Sequence, residues 1–100
     1  MPSLRMETMP KTAEFLGKRR RFQFSEGDWG WPGTYSFEAE GFTVEIDYHG
    51  ENDVFDTVTG EVYDHEAQWS FSTRDMARPL SQVLRMLELR ARKRLERKNG

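Results

Sequence analysis

The sequence lacks cysteine, and it also lacks any long apolar segment. Without cysteine the chain has no disulfides and no thiolate metal ligands, which suits a reducing compartment. No run of 18 apolar residues is present, so we expect no membrane-spanning helix. The N-terminal segment has no apolar core of the kind found in secretory signal peptides. These absences together predict a cytoplasmic protein without a membrane partner.

Short motifs that carry common catalytic chemistry are missing as well. The chain has no G-x-S-x-G nucleophile turn, no phosphate-binding glycine loop, no dinucleotide-binding glycine motif and no H-E-x-x-H pair. Carboxylates are abundant, but nothing marks two of them as a buried acid–base pair. The acidic segment 47–56 lacks the spacing of a calcium-binding loop. We therefore predict a protein that is not an enzyme, with no cofactor and no metal site.

Positive charge is absent from the middle of the chain. Residues 22–73 contain 12 acidic residues and no lysine or arginine. Residues 1–21 hold six basic and two acidic residues, and residues 74–100 hold nine basic and three acidic residues. The net charge of −2 therefore hides a chain that is basic, then acidic, then basic. Such segregation bears on the fields and the partners of a protein rather than on its fold.

Residues 34–40 and 42–49 show the clearest strand pattern, joined by a tight turn at Glu40–Gly41. Apolar and polar residues alternate on both sides of the turn, which predicts one apolar and one polar face. The predicted apolar pairs are Tyr35 with Ile46, Phe37 with Val44, and Ala39 with Phe42. The predicted polar pairs are Thr34 with Asp47, Ser36 with Glu45, and Glu38 with Thr43. Each acid in this register faces a hydroxyl group, so direct repulsion is avoided.

The remaining elements are less regular. Alternation predicts strands at 21–25 and 66–72, and a second hairpin over 54–64 that turns at Thr59–Gly60, although its register stays open. Apolar residues at three- and four-residue spacing from Met76 to Leu95 predict a helix over 79–97. A short helical turn is predicted after Thr12.

The expected fold class is α+β: an antiparallel, meander-like sheet of four to six strands, packed by one long C-terminal helix. Residues 1–12 are expected to form a mobile N-terminal tail, and residues 13–100 a single domain. The helix should cover the apolar face of the sheet, which leaves an acidic face toward solvent or a partner.

That acidic face is the first candidate site. Strands are depleted in acidic residues, so a strand face that carries only acids calls for a reason. A solubilising surface is one reading. The other is that rigidly spaced carboxylates imitate nucleic-acid phosphates and occupy a basic site on a nucleic-acid-handling protein. The predicted acidic contact residues are Glu38, Glu40, Glu45, Asp47, Asp56 and Glu61.

Two further candidate sites are aromatic and basic. Trp29 and Trp31 lie in a glycine-rich loop, where they either anchor a partner or fold back over a sheet edge. The basic end of the helix, with the Lys18–Arg21 cluster, offers the alternative function of nucleic-acid binding. The helical residues of that alternative are Arg85, Arg90, Arg92, Lys93, Arg94 and Arg97. A third reading is a homo-oligomer, a structural subunit whose opposite charges drive head-to-tail self-assembly.

In size, absence of cysteine and charge segregation, the chain resembles the compact inhibitors that bacteriophages encode, including anti-CRISPR and DNA-mimic proteins. The resemblance carries no motif, so it assigns no functional residue. It implies a small inhibitor whose partner is the basic surface of a nucleic-acid-handling protein or complex.

Overall fold

The computed structural model of the chain describes residues 10–25, 33–48, 58–74 and 78–99. These residues form an α+β arrangement with one C-terminal helix, as the sequence predicts. The seven strands form two antiparallel sheets, one of two strands and one of five, where the sequence predicts a single sheet of four to six strands. In chain order the elements are β1 (Thr12–Phe15), β2 (Lys18–Arg21), β3 (Gln23–Ser25), β4 (Thr34–Ala39), β5 (Phe42–Tyr48), β6 (Val58–Asp64), β7 (Trp69–Ser72) and α1 (Leu80–Asn99).

Strands β3 to β7 form one antiparallel sheet in which spatial order follows chain order. This confirms the predicted meander, and all six predicted pairs between β4 and β5 are present. Glu40 and Gly41 have φ angles of 50° and 88°, the positive values that a two-residue type I′ turn requires. The strand predicted over 21–25 is shorter than expected, because Arg21 belongs to β2.

Helix α1 packs its apolar stripe on the inner face of this sheet. Val83, Leu87 and Ala91 are fully buried, and the helix contacts β6 and β7. The carbonyl of Pro79 accepts the first helical N–H groups, so the helix begins one residue later than predicted. Among the described residues, no helix combines the length and the hydropathy needed to cross a bilayer.

Gly60 lies where the helix comes closest to the sheet. It sits inside the continuous strand β6, so the turn predicted at Thr59–Gly60 is wrong. A Cβ atom at this position would lie 2.7 Å from Cγ1 of Val83. Thr73, which is fully buried, donates its backbone N–H to the Gly60 carbonyl and accepts the Gly60 N–H on its hydroxyl oxygen. The glycine therefore marks close packing of helix on strand rather than a turn.

Strands β1 and β2 form a hairpin that covers a further part of the inner face, beside β4. Thr12, predicted to cap a short helical turn, is instead the first residue of β1. Leu16 and Gly17 have positive φ angles of 53° and 81°, which makes a second tight turn. Phe15 is fully buried, and its ring packs edge-on against Phe37 at 5.2 Å between centroids. Residues 1–9 of the predicted tail lie outside the described residues.

The strand predicted over 66–72 begins only at Trp69, because a turn precedes it. The Asp64 carboxylate accepts the backbone N–H of Glu66 at 3.1 Å and that of Ala67 at 3.4 Å. Gln68 then adopts a φ of 55°. Ala67, which alternation over 66–72 would place inward with Trp69 and Phe71, is exposed in this turn.

One carboxylate joins the β1–β2 hairpin to the helix. The Leu16 N–H donates to Oε2 of Glu88 at 2.6 Å, and Arg92 contacts the same oxygen at 3.3 Å. Replacing Glu88 by alanine is expected to lower the free energy of unfolding by about 1–2 kcal/mol, because the Leu16 N–H loses a charged acceptor. Urea denaturation measures the change. The matched change at exposed Glu96, on the same helix, should alter stability by less than about 0.5 kcal/mol; equal losses would show that the bond is unimportant.

Candidate functional site

The sheet face opposite the core carries the predicted acids, and we call it the outer face. It consists of the residues of β3 to β7 that alternate with the core residues. Its acidic residues are Glu38, Glu45, Asp47 and Glu61. Its other residues are Gln23, Ser25, Thr34, Ser36, Thr43, Thr59, Tyr63, Ser70 and Ser72. No strand of this sheet contains a lysine or an arginine, so the outer face carries no positive side chain of its own.

Three of the outer-face acids accept hydrogen bonds from neutral hydroxyl groups. Thr43 donates to Glu38 at 2.9 Å, and Thr34 donates to Asp47 at 2.8 Å, as their pairing across β4 and β5 predicts. Glu45 instead accepts a hydrogen bond from the Tyr63 hydroxyl at 3.2 Å. These bonds orient the carboxylates and leave their charges in place.

Glu45 lies directly opposite Glu61 across β5 and β6. The sequence does not reveal this pair, because mixed alternation leaves the register of residues 54–64 undefined. Like charges directly opposite each other destabilise a sheet. Salt bridges within the described part of the chain use Glu40, Glu88 and Asp64, so neither member of the opposed pair has one there.

The negative charges of the outer face affect the pKa of the Tyr63 phenol. Its pKa is raised above the ordinary value, first by burial and then by the charge of Glu45, whose carboxylate also accepts its hydrogen bond. Glu61 and Glu38 act in the same direction. Tyr63 is therefore a protonated donor at neutral pH, and it holds Glu45 in position.

A hydrogen-bond chain crosses the face next to this pair. The Thr43 hydroxyl gives its one hydrogen to Glu38, so it accepts from Nε2 of His65, which lies 3.0 Å away. The His65 ring packs edge-on against Tyr63 at 4.7 Å between centroids. His65 is thus a donor at Nε2, and it adds a ring to the acidic surface.

A shallow pocket of about 490 Å³ opens between the opposed acids and the turn after β6. Glu45 and Glu61 supply two carboxylates, and Tyr63 supplies an aromatic ring. This combination suits a guanidinium or ammonium group, which carboxylates bind through charged hydrogen bonds and rings attract through their π faces. The complete lining is Glu45, Glu61, Tyr63, Asp64, His65, Gln68, Trp69 and Ser70.

The remaining predicted contact residues lie elsewhere. Glu40 is in the β4–β5 turn, where Lys18 at 3.8 Å and Arg20 at 3.4 Å partly neutralise it. Asp56, Trp29 and Trp31 fall outside the described residues.

The predicted basic residues of α1 do not form one surface. Arg92 is paired with Glu88, and Arg85 is exposed one to two turns earlier. The other four basic residues line a small cavity together with Trp69; they are Arg90, Lys93, Arg94 and Arg97. Sequence reasoning finds these cations but misses Trp69, which alternation assigns only to the core.

The described residues contain no group of three or more histidine, aspartate or glutamate side chains placed to hold a metal ion. Comparisons of the chain with protein-family models, curated proteins and solved structures find no match.

Proposed function

We propose that the protein is a non-enzymatic binding module whose outer face occupies a basic site on a nucleic-acid-handling protein. Occupation of that site inhibits the partner by excluding its nucleic acid. The interface consists of Glu38, Glu45, Asp47 and Glu61, with the pocket beside Tyr63 receiving a lysine or arginine side chain of the partner.

The opposition of Glu45 and Glu61 carries this proposal. A surface that serves only solubility can carry its acids apart from one another, where they repel less. Direct opposition lowers stability by roughly 0.2–1 kcal/mol. Binding sites commonly retain such locally unfavourable arrangements, because stability is given up for function.

The arrangement of charge supports a nucleic-acid-handling partner. Neighbouring strands lie about 4.8 Å apart, and alternate residues of one strand lie about 7 Å apart. The sheet thus presents a rigid array of negative charges rather than a single acidic loop. Basic grooves that bind phosphates through lysine and arginine are complementary to such an array, and electrostatic steering makes the association fast and salt-sensitive.

A capture experiment with a double variant tests the proposal. The protein is immobilised, exposed to an extract of its native host, and the retained proteins are identified and quantified. Wild-type protein should retain a partner that duplex DNA releases. Glu45→Gln with Glu61→Gln should reduce retention about tenfold or more, equivalent to about 1.4 kcal/mol. The same variant should be more stable than wild type by up to about 1 kcal/mol, because the repulsion is gone.

The control changes net charge equally at a distance from the outer face. Glu88 and Glu40 are unsuitable because each forms a salt bridge. The control therefore replaces the exposed residues Glu14 and Glu96 by glutamine. This control should capture the partner as well as wild type does. Equal capture by both double variants, or a partner that DNA does not displace, would refute the proposed interface.

A further inference from the structure

A second cavity lies where α1 passes the edge strand β7. Its volume is about 130 Å³, and its lining is Trp69, Arg90, Lys93, Arg94 and Arg97. Four of these five residues are cationic, and none is acidic. A water molecule occupies about 30 Å³ of the liquid, so the cavity has room for a group of four or five heavy atoms. That is the size of a phosphate group.

Aromatic rings contact two of these cations. Cζ of Arg90 lies 4.4 Å from the centroid of the Phe71 ring, and Cζ of Arg94 lies 5.7 Å from that of Trp69. A guanidinium that contacts a ring can still direct N–H groups toward an anion. Within the described residues, neither Arg90, Lys93 nor Arg97 forms a salt bridge. No carboxylate of the described residues therefore occupies the donors of these three side chains.

The charge of Arg94 is only partly compensated. Asp64 accepts a hydrogen bond from Nζ of Lys98 at 2.9 Å, while Nε of Arg94 lies 3.9 Å from the same oxygen. That Nε is buried and has no hydrogen-bond acceptor. One carboxylate thus faces two cations, which leaves positive charge in excess beside the cavity. A buried donor without an acceptor is uncommon, and an anion bound in the cavity would offset the excess charge.

We propose that this cavity binds a phosphate group of a nucleic-acid strand. The cations at 90, 93, 94 and 97 follow one side of the helix. At 1.5 Å per residue, they extend over about 10 Å, which allows contacts to more than one phosphate of the same strand. The acids of the outer face do not line the cavity, although Trp69 borders both the cavity and the pocket beside Tyr63.

Binding of a labelled oligothymidylate of about 16 nucleotides, followed by fluorescence anisotropy, tests the proposal. With about three phosphate contacts, log K should fall against log salt with a slope near −2 between about 50 and 200 mM. Lys93→Gln with Arg97→Gln should weaken binding and reduce the slope by about 1.4, since each lost contact removes about 0.7. Both residues are exposed, so the fold should persist, and a thermal melt verifies this.

The matched control is Arg85→Gln with Arg92→Gln, which removes the same charge from the same helix outside the cavity. It should leave the salt slope unchanged. Equal loss in both double variants would show general attraction to a basic helix and overturn the proposal. So would the absence of oligonucleotide binding at low salt. A titration with inorganic phosphate distinguishes the source: phosphate-induced NMR shifts at Arg90 and Arg94 without oligonucleotide binding would rule out a nucleic-acid ligand.

Discussion

Gly60→Val is expected to destabilise the protein by about 3 kcal/mol or more, because the helix leaves no room for a side chain at this strand position. A Cβ at Gly60 would lie 2.7 Å from Cγ1 of Val83 and 2.9 Å from Cδ1 of both Ile46 and Leu87. All three neighbours are fully buried, so none can move into solvent. Overpacking of this kind costs about 1–3 kcal/mol for one methyl group, and valine adds two more carbons. For a domain of this size, each kcal/mol lowers the melting temperature by about 4–8 °C.

Two further variants separate crowding from other effects of the substitution. Gly60→Ala should lower the free energy of unfolding by about 1–3 kcal/mol. Adding Val83→Ala should recover part of that stability, because it removes Cγ1 of Val83, the atom nearest to the new Cβ. Gly41→Ala, where the added Cβ meets no atom within 4 Å, measures only the strain of positive φ. If Gly60→Ala is as stable as wild type, the close approach of helix and strand does not exist.

Loss of the Asp64 carboxylate is expected to have the second largest effect. Asp64 is only 2% exposed and binds Lys98, while its other oxygen orders the turn through the N–H groups of Glu66 and Ala67. Asp64→Ala leaves Lys98 and Arg94 to repel each other and leaves the turn donors unpaired. Removing one partner of a buried pair costs about 3–5 kcal/mol. Because both cations are partly exposed, we expect about 2–3 kcal/mol, measured by urea denaturation.

The effect of Asp64 should also depend on pH. The hydrogen bond from Lys98 holds the pKa of Asp64 below its ordinary value, although burial opposes the shift. Because the folded pKa is the lower one, this stabilisation is present above the unfolded value of about 4 and is lost as the pH falls through the folded value. The difference in the free energy of unfolding between wild type and Asp64→Asn should therefore become smaller below about pH 4. Glu40 is an exposed acid that also contacts two cations. Its replacement, Glu40→Gln, should lower the free energy of unfolding by no more than about 1 kcal/mol.

The hairpin of β4 and β5 was predictable down to its individual pairs. Strict alternation over residues 34–47 fixes which side chains face inward, and a two-residue turn at Glu40–Gly41 then allows one self-consistent register. The apolar stripe of α1 was predictable for the same reason, since its period is that of a helix. Both patterns depend on local sequence.

Features set by distant contacts were not predictable. Gly60 looks like a turn residue until the helix is placed over it, because glycine serves both turns and close packing. The turn at Leu16 is equally hidden, since leucine rarely adopts positive φ. Local sequence alone assigns both positions wrongly.

The candidate site was predictable in composition but not in geometry. The acids of the outer face follow from alternation, and the absence of lysine and arginine from its strands follows from the charge pattern of residues 22–73. The opposition of Glu45 and Glu61 required the β5–β6 register, which mixed alternation leaves undefined. The cavity beside Trp69 required the helix to be docked against β7.

The sequential order of β3 to β7 has a consequence for how the chain reaches its native state. Each strand pairs with the next along the sequence, so most of the sheet closes through short-range contacts with a small entropic penalty. The bond between Leu16 and Glu88 joins positions 72 residues apart. Because this contact closes a far longer loop than any pairing between neighbouring strands, we expect it to form after the strand pairs of the sheet.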